Sequence, residues 1–358
     1  MARDADIVVV GAGIVGAATA RELAGSFETV VLLERFELGH DRGSSHGTSR
    51  IFRLNYPDER YVRMAQAAGD AWRELERQRE QSLVERTGSL DLGPVGVRTA
   101  RALAACGVRF ETLSAGEVRS RWPVRLDDGE SAVFQLDGGI VLADRAHEAL
   151  IATAAEGGVE IRAHAPVRSL VLERRRVRVL LDADEISARA VVVTAGAWAP
   201  GLLADVGVEL AVVPTRETVL YLRLDGTTPM PSVIDYGRTP RPGAGITRVG
   251  QAAYALASPG VGLKAGLHHS GPVADPDDEP TPDSAVAEWV ASWAATRFEG
   301  LGDVLGEETC LYTNTADEAF VLERHGRVVV GAACSGHGFK FAPVVGRTLA
   351  ALARESAS

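Results

Sequence analysis

The first 34 residues carry the pattern that most constrains how this chain can fold. An apolar run at 5–10 leads into Gly-Ala-Gly-Ile-Val-Gly at 11–16, and a helical pattern then continues to residue 23. A second apolar run at 29–33 ends at Glu34. This order of buried strand, glycine-rich turn, helix, strand and acid predicts a βαβ unit that binds a dinucleotide.

The three glycines of this turn have separate physical roles. Gly11 and Gly13 permit a tight turn and a close approach of the backbone to a pyrophosphate, whereas Gly16 permits close packing of helix on strand. The helix N-terminus offers free N–H groups to phosphates, and Glu34 can accept hydrogen bonds from ribose hydroxyls. Because Glu34 would repel a 2′-phosphate, the pattern disfavours NADP and leaves FAD and NAD.

Length and composition bound the class of protein. The 358 residues suffice for about two domains. A net charge of −10 argues against a general binder of nucleic acid or anionic membranes, which needs a basic surface. The three cysteines, Cys106, Cys310 and Cys334, suit neither a disulfide framework nor a zinc site. The apolar N-terminus is broken by glycines and lacks a basic start, unlike a signal peptide or a membrane span. We therefore expect a cytoplasmic protein without a bound metal.

The rest of the chain alternates helices with strands and β-rich segments. Residues 88–138 suggest short strands with one helix near 99–106, and residues 210–265 suggest mainly strands. Loops are expected at 236–245 and in the acidic, proline-rich segment 272–283. Further expected elements are helices at 58–80, 144–156 and 343–354, strands at 159–162, 166–173, 176–182, 191–198 and 328–331, a hairpin turn at 173–176 and a glycine loop at 334–341.

Only two of the 38 basic residues are lysines, Lys264 and Lys340. Each lies in a glycine-rich run that contains histidine, at 262–268 and 335–341. A compact ammonium differs from the planar guanidinium that the chain uses elsewhere, so lysine at these two positions indicates a functional role. The alternative is that both are surface residues in an arginine-rich composition, although surface lysines more often lie among polar residues on a helix.

Several short segments together resemble one known family of enzymes. Two of them are specific: Gly-Ser-Ser-His-Gly-Thr-Ser-Arg-Ile-Phe-Arg at 43–53 and Ser-Gly-His-Gly-Phe-Lys-Phe at 335–341. Over nearly its whole length the chain resembles the monomeric sarcosine oxidase family of flavoprotein amine oxidases, within the wider D-amino-acid-oxidase-like group. The other matching segments are the N-terminal fingerprint, Tyr56, residues 309–318, and residues 262–264 with Tyr254 and His268.

The resemblance implies an α/β fold with two domains. A Rossmann-like FAD-binding domain would comprise residues 1–86, 139–212 and 310–358, and a β-rich, antiparallel-sheet substrate domain would comprise 87–138 and 213–309. The implied activity is FAD-dependent oxidation of a secondary amino acid or a related amine carboxylate by a monomer. The C–H next to nitrogen would give hydride to flavin N5 to form an imine, and O2 would reoxidise the flavin and form hydrogen peroxide.

The resemblance also assigns roles to residues in the matching motifs. Cys310 would carry FAD through an 8α-thioether bond. Arg53 and Lys340 would bind the substrate carboxylate, the first as a bidentate fork and the second as a point charge. The apolar neighbours Ile51 and Phe52 would make Arg53 partly buried, and a substrate carboxylate would relieve the cost of an unpaired buried cation. Lys264 would face flavin N5 and stabilise developing superoxide.

Further residues are placed around the flavin and the substrate by the same resemblance. His268 and Tyr254 would lie near the amine and its oxidisable carbon, while His269 would point to the opposite face of a strand. Gly336 and Gly338 would let the backbone approach the flavin ring, and Gly336 would also contact the substrate. Arg50 would be catalytic together with Lys264, His268 and Tyr254, and it would line the same face of the flavin as Lys264. The remaining expected flavin contacts are Ser44, His46, Gly47, Ser49, Arg50, Val167, Trp198, Tyr312, Phe339 and Lys340.

Two departures from the family pattern leave the substrate open. Cys334 stands where the sarcosine enzyme has a bulky aromatic residue, and the segment 236–250 is longer than its counterpart. Both suggest a substrate that is larger than sarcosine or cyclic. The alternatives are a biosynthetic tailoring oxidase of a cyclic imino acid or modified aryl-amino acid, a flavin dehydrogenase with a protein acceptor, a non-catalytic flavin-binding subunit and an NAD-dependent dehydrogenase.

Overall fold

The computed structural model of the chain describes residues 3–93, 97–224, 229–238 and 252–358. The helices in these ranges are α1 (Ile14–Leu23), α2 (Glu59–Arg79), α3 (Val97–Ala105), α4 (Ala115–Arg121), α5 (Ala143–Glu156), α6 (Ala199–Ala204), α7 (Ser284–Arg297) and α8 (Ala342–Ala357). The strands up to residue 180 are β1 (Arg3–Val10), β2 (Val30–Leu33), β3 (Ser49–Phe52), β4 (Val84–Glu85), β5 (Ser89–Leu92), β6 (Glu111–Ser114), β7 (Ser131–Gln135), β8 (Gly139–Leu142), β9 (Glu160–Arg162), β10 (Ser169–Leu172) and β11 (Val177–Leu180). The later strands are β12 (Glu185–Val193), β13 (Val213–Leu224), β14 (Ser232–Asp235), β15 (Ala253–Ser258), β16 (Gly262–Leu267), β17 (Leu301–Asn314), β18 (Val321–His325) and β19 (Val328–Ala332).

Parallel strands form the centre of the first sheet. Strand β1 lies between β2 and β12, and β9 and β19 extend this parallel arrangement. The antiparallel strands β10, β11 and β18 complete the sheet. Its central strands are continuous apolar runs because both faces are buried. Helices α1, α5 and α8 pack on one face, and α6 with residues 206–212 packs on the other.

The second sheet has the strand order β17-β13-β16-β15-β14-β5-β7-β6 and is antiparallel except between β14 and β5. Successive side chains point to opposite faces of a strand. Helix α7 covers one face, where Leu222, Leu263 and Trp293 belong to a common core. The opposite face carries, on neighbouring strands, Tyr254, Lys264, Tyr221 and Cys310.

A small third sheet of β3, β8 and β4 connects the two larger ones. Ile51, Ile140 and Leu142 of this sheet pack against Leu256 of β15, on the face of the second sheet that carries Lys264. Strand β3 therefore brings Arg50, and Arg53 just beyond its end, to the space between the two large sheets.

The predicted α/β class is confirmed, and most expected elements lie where the sequence indicated. Asp58 caps α2, since its side chain accepts a hydrogen bond from the Arg60 N–H. The prediction of one helix within 88–138 was wrong, because α4 follows α3 and begins with a capping box between Ser114 and Glu117. Helix α7 was also missed, although Asp283 caps it.

Residues 239–250 of the long segment lie outside the described residues, and the two domain boundaries stay a prediction. None of the helices described here is both long and apolar enough to cross a membrane.

A buried ion pair at the end of α7 ties this helix to the second sheet. The Arg297 side chain is fully buried, and its Nε donates to Asp235 of β14 at 2.7 Å while its Nη1 donates to Glu130 at 2.6 Å. We predict that Arg297→Met lowers the free energy of unfolding by about 3–5 kcal/mol, because Asp235 would keep a buried and uncompensated charge. Urea unfolding followed by circular dichroism measures this loss.

The exposed pair between Arg125 and Glu299, 3.3 Å apart, provides the matched control. Arg125→Met should cost less than about 1 kcal/mol, because an exposed pair is well solvated in both the folded and the unfolded state. Equal losses in the two variants would contradict a specific role for the buried pair.

Candidate active site

A cleft of about 540 Å³ opens at the carboxyl ends of the parallel strands. Gly11, Gly13 and Glu34 line it near β1 and β2, and Thr194 lines it beyond β12. Such a crevice is where open α/β sheets bind nucleotides. The N-terminus of α1 faces the cleft through Ile14, whose N–H donates to Ser45 Oγ at 3.0 Å.

The geometry of the glycine turn explains why these residues cannot carry side chains. Gly11 has a positive φ of 96°, and a Cβ there would lie 2.7 Å from the Thr194 carbonyl oxygen. A Cβ on Gly16 would lie 1.8 Å from the Gly11 carbonyl oxygen. Gly16 does not line the cleft, in agreement with a role in packing helix against strand.

Glu34 organises the nucleotide end of the cleft. Its carboxylate accepts hydrogen bonds from the N–H of Ala12 at 2.8 Å and of Phe36 at 3.0 Å. Burial alone would raise the pKa of Glu34, but hydrogen bonds from His40, Phe36 and Ala12 outweigh burial and lower the pKa. The group is therefore ionised at neutral pH, and its lone pairs can accept further hydrogen bonds from a ribose.

The cleft continues to a second end that is built from the motifs of 43–53, 309–318 and 335–341. His46 in its wall is neutral, because burial and then the charges of Arg50 and Lys264 lower its pKa to about 3. Its Nε2 is buried without a hydrogen-bond partner among the described residues, as expected of an atom that faces a polar ligand. The expected flavin contacts that line the cleft are Gly11, Gly13, Glu34, Ser44, His46, Arg50, Val167, Trp198, Cys310, Tyr312, Gly336, Gly338 and Phe339. The cleft extends from the glycine turn and Glu34 at one end to the motifs of 43–53, 309–318 and 335–341 at the other. This extent, the polar groups of its wall and the glycine turn fit a flavin dinucleotide.

Three other expected flavin contacts lie away from the cleft wall. Ser49 is fully buried, and its hydroxyl donates to the Ala257 carbonyl at 2.7 Å, joining β3 to β15; its contact with the flavin stays a prediction. Gly47 lies between Arg50 and Lys264, and Lys340 lies in a separate polar cluster. The sequence motif placed Ser49 in the right segment but could not show which strand its hydroxyl would meet.

Cys310 lies on β17 in the wall of the cleft, opposite Glu217 of β13. Burial raises the pKa of its thiol, against the opposing effects of Arg50 and Lys264. Cys334 lies in the same wall, and its sulfur accepts a hydrogen bond from the Thr313 N–H at 3.4 Å. Both cysteines thus have their side chains at the same end of the cleft.

Lys264 is a buried ammonium close to this end of the cleft. Its side chain lies on the cleft-facing side of β16, and its Nζ is 5.3 Å from the centre of the Tyr221 ring. Burial, followed by repulsion from Arg50, lowers the pKa of Lys264 to about 7. Near neutral pH this residue can therefore both hold a charge and exchange a proton.

Two further cations converge on Tyr56. The Lys340 ammonium donates to the Tyr56 hydroxyl at 3.0 Å and to the His337 carbonyl at 2.7 Å. The Arg53 guanidinium lies 4.7 Å from the centre of the Tyr56 ring. Burial and the neighbouring Arg53 hold the pKa of Lys340 well below its usual value. This cluster presents positive charge in a dry environment, which suits a carboxylate.

Arg53 already has polar partners within the protein. Its Nη1 donates to Tyr236 Oη at 2.8 Å and lies 3.4 Å from Asp91 Oδ2. Asp91 is buried on β5, and burial raises its pKa to about 6 although Arg53 opposes the shift. Asp91 was not among the predicted site residues, and its one sequence signal is a carboxylate between two leucines at 90 and 92, which does not show which cation it meets.

The prediction for His269 was also wrong, because its ring lies beside that of His268 at a centroid distance of 3.9 Å. Strand β16 ends at Leu267 and His269 has a φ of +56°, so the alternation of a strand no longer applies. His269 Nε2 lies 3.1 Å from Glu318, and His268 Nδ1 lies 3.3 Å from the Tyr312 hydroxyl.

His268 is held in its neutral form. Burial is the main cause that keeps its pKa well below the usual value, and the nearby charges of Arg53 and Lys340 act in the same direction. Tyr254 is likewise protonated, because burial raises its pKa. The candidate substrate side therefore combines fixed cations with neutral imidazole and phenol groups.

Potential metal ligands occur together once among the described residues, in His268, His269 and Glu318, whose ligand atoms lie within 4.8 Å of one another. The positive charges of Arg53 and Lys340 beside His268 disfavour a second cation at this position. The cluster fits the substrate side better than it fits a metal centre.

Comparison with known proteins identifies the class. Residues 6–352 match the family model described as FAD dependent oxidoreductase, so the chain belongs to that family. It is 35% identical to the peroxisomal sarcosine oxidase of Mus musculus, over 96% of this chain and 90% of the relative. It is 31% identical to the monomeric sarcosine oxidase of Bacillus sp. (strain NS-129), over 97% and 92%.

A solved structure extends the similarity to the fold. NikD, described as an unusual amino acid oxidase essential for nikkomycin biosynthesis, superimposes with a TM-score of 0.88 at 27% identity, over 99% of this chain and 94% of NikD. The predicted family and the dependence on FAD are confirmed, and the chain is an FAD-dependent amine oxidoreductase of the sarcosine oxidase type.

We predict that Glu34→Ala weakens FAD binding by about ten- to a hundredfold, because it leaves the Ala12 N–H without its acceptor and removes a ribose contact. Titration of flavin fluorescence measures the affinity, in a Cys310→Ala background where FAD can exchange. Glu37→Ala is the control, since Glu37 is exposed and three residues away. An affinity equal to that of the control would refute the role of Glu34.

Proposed function

We propose that the chain oxidises a secondary amino acid or a related amine carboxylate, with FAD attached covalently to Cys310. The single observation that carries this proposal is the convergence of the partly buried Arg53 and the buried Lys340 on Tyr56, next to neutral His268. The cluster lies beside the end of the cleft where Cys310 and Gly336 are found. A substrate with a carboxylate and an uncharged amine suits this arrangement.

The residues of the cluster would act on the substrate before any electron transfer. Arg53 and Lys340 bind the carboxylate and hold the amine carbon in place. The same cations disfavour an ammonium, so they favour the neutral amine from which hydride can leave. Neutral His268 and Tyr254 can exchange hydrogen bonds with the amine without adding charge. FAD would supply a hydride acceptor at N5 and then pass electrons to O2.

The names of the relatives set the range of substrates to be tested. The relatives include sarcosine oxidases and the N-methyl-L-tryptophan oxidase of Citrobacter koseri, which differ widely in the size of the amino acid they name. The test is hydrogen peroxide release from sarcosine, N-methyl-L-tryptophan, proline and pipecolate. No peroxide from any secondary amino acid, with a normal flavin spectrum, would contradict the proposal.

A second candidate is a tailoring oxidase of a cyclic imino acid, and it is favoured by Cys334. This residue puts a small side chain in the cleft wall beside Gly336. The similarity to NikD is consistent with such a reaction. A preference for ring substrates, with an unsaturated or aromatic product in mass spectra, would distinguish it. The monomeric state and the cytoplasmic location stay predictions, and gel filtration tests the first.

We predict that the flavin stays with the protein after acid precipitation, because a thioether to Cys310 would survive loss of the fold. In Cys310→Ala the yellow colour should pass to the supernatant. Cys334→Ala is the control and should keep the flavin bound. Release of flavin from the wild-type protein would remove the covalent link but would leave the oxidoreductase assignment in place.

We predict that reoxidation of the reduced flavin by O2 slows as the pH rises through about 7. The pKa of Lys264 is lowered to about 7, so its charge is present below this pH and is lost above it. Lys264→Met should lower the reoxidation rate by about 10²- to 10³-fold and abolish this pH dependence. Stopped-flow absorbance measures the rate, and anaerobic reduction by substrate serves as the control. A wild-type rate that does not change between pH 6 and 8 would contradict the role of the charge.

A further inference from the structure

A hydrogen-bonded pair connects the protein surface to the surroundings of Lys264. The Tyr221 hydroxyl donates to Glu308 Oε2 at 2.7 Å. Glu308 is exposed on β17, whereas the Tyr221 side chain is buried on β13 and only 6% exposed. A solvent-accessible carboxylate is thereby joined to a phenol in the interior.

Register brings the same phenol to Lys264. Tyr221 and Lys264 are direct cross-strand partners on β13 and β16, so their side chains share one face of the sheet. The position that a Cβ of Gly47 would occupy lies 3.3 Å from Lys264 Nζ and 3.6 Å from Tyr221 Oη. Because both polar atoms lie close to this point, they are less than about 7 Å apart, and one or two water molecules beside Gly47 can bridge them. Gly47 has a φ of +100°, which keeps this point free of a side chain.

Lys264 needs such a connection to solvent in order to regain a proton, because it is buried and only 5% exposed. The charged or titratable groups around it, besides Tyr221, are the neutral His46, Arg50 of β3, Cys310 and Glu308 of β17 and Asp144 of α5. Arg50 does not deprotonate, and Cys310 is the proposed point of flavin attachment. Glu308 and Asp144 remain as acids that could supply protons from solvent.

We infer that Tyr221 and Glu308 form a proton-transfer route from solvent to Lys264. The inference rests on the proposed oxidase function. Hydrogen peroxide forms from O2 with two electrons and two protons: both electrons and one proton come from the reduced flavin, and Lys264 delivers the second proton. The Glu308 carboxylate then takes up a proton from solvent and passes it to the Tyr221 hydroxyl, while Tyr221 gives its own proton through water to the neutral Lys264 amine.

The chemistry of Tyr221 suits a relay rather than a base. Burial, and then the hydrogen bond to the Glu308 carboxylate, raise the pKa of the phenol. The phenolate is therefore not populated, and the hydroxyl can accept one proton while it donates another. Tyr221→Phe removes this ability and retains the ring that packs against Lys264.

The chain allows a direct test on Lys264 that does not depend on turnover. With two lysines, protein labelled with 13Cε-lysine gives two signals, and Lys264→Met assigns them. In the oxidised holoprotein Glu308→Gln should lower the pKa of Lys264 by about half a unit, because it removes a nearby negative charge. Glu307→Gln is the matched control, since this exposed neighbour points to the other face of β17, and it should cause no shift. Equal shifts in both variants would overturn the link.

Kinetics test the transfer itself. Tyr221→Phe and Glu308→Gln should slow flavin reoxidation about tenfold or more and raise its solvent deuterium isotope effect, while anaerobic reduction by substrate stays unchanged. Formate should partly rescue Glu308→Ala. Unchanged reoxidation in both variants, or a loss only in Asp144→Asn, would overturn the inference. Absence of flavin reduction by any amine would instead refute the proposed function, and the lysine titration would still decide whether Glu308 is coupled to Lys264.

Discussion

The burial of positive charge is the constraint on which the rest of this active site depends. Lys264 and Lys340 are buried and Arg53 is partly buried, and each needs compensation for lost hydration. Lys340 receives it from the oxygens of Tyr56 and His337, which carry no charge. A cation held by neutral oxygens lacks an anionic partner, and this favours a carboxylate as the ligand of Lys340.

Each of the three cations lies on, or follows, a strand of a different sheet. Arg53 follows a strand of the small sheet, Lys264 lies on the second sheet, and Lys340 follows the last strand of the first sheet. No two of them are close in sequence, so their proximity depends on the packing of all three sheets. The electrostatic repulsion among the three cations is therefore offset by the packing of the whole tertiary structure, which includes a large hydrophobic core on either side of the site.

Local signals were sufficient where chemistry depends on neighbouring residues. The sequence alone was enough to interpret the glycine turn with Glu34 and the start of α2 at Asp58, because steric and electrostatic requirements within one short segment determine them. The rarity of lysine could also be interpreted without a structure, because it is a property of the composition. Ser49, His269 and Asp91 could not be placed in this way. Their positions depend on which strands meet, on where β16 ends and on which cation lies across the sheet junction.

The pairing of Arg53 with Asp91 bears on how tightly a substrate can bind. An unpaired guanidinium would gain its full electrostatic stabilisation from the substrate carboxylate, whereas Arg53 already interacts with Asp91 and Tyr236. The gain on binding is then the difference between two states, and it is smaller than the strength of the new contact alone. The pair also relieves the cost of a buried charge in the free enzyme. Asp91 thus stabilises the empty site and reduces the contribution of Arg53 to the free energy of substrate binding. Lys340, which has no such carboxylate partner in the structure described, should contribute more when the substrate carboxylate binds.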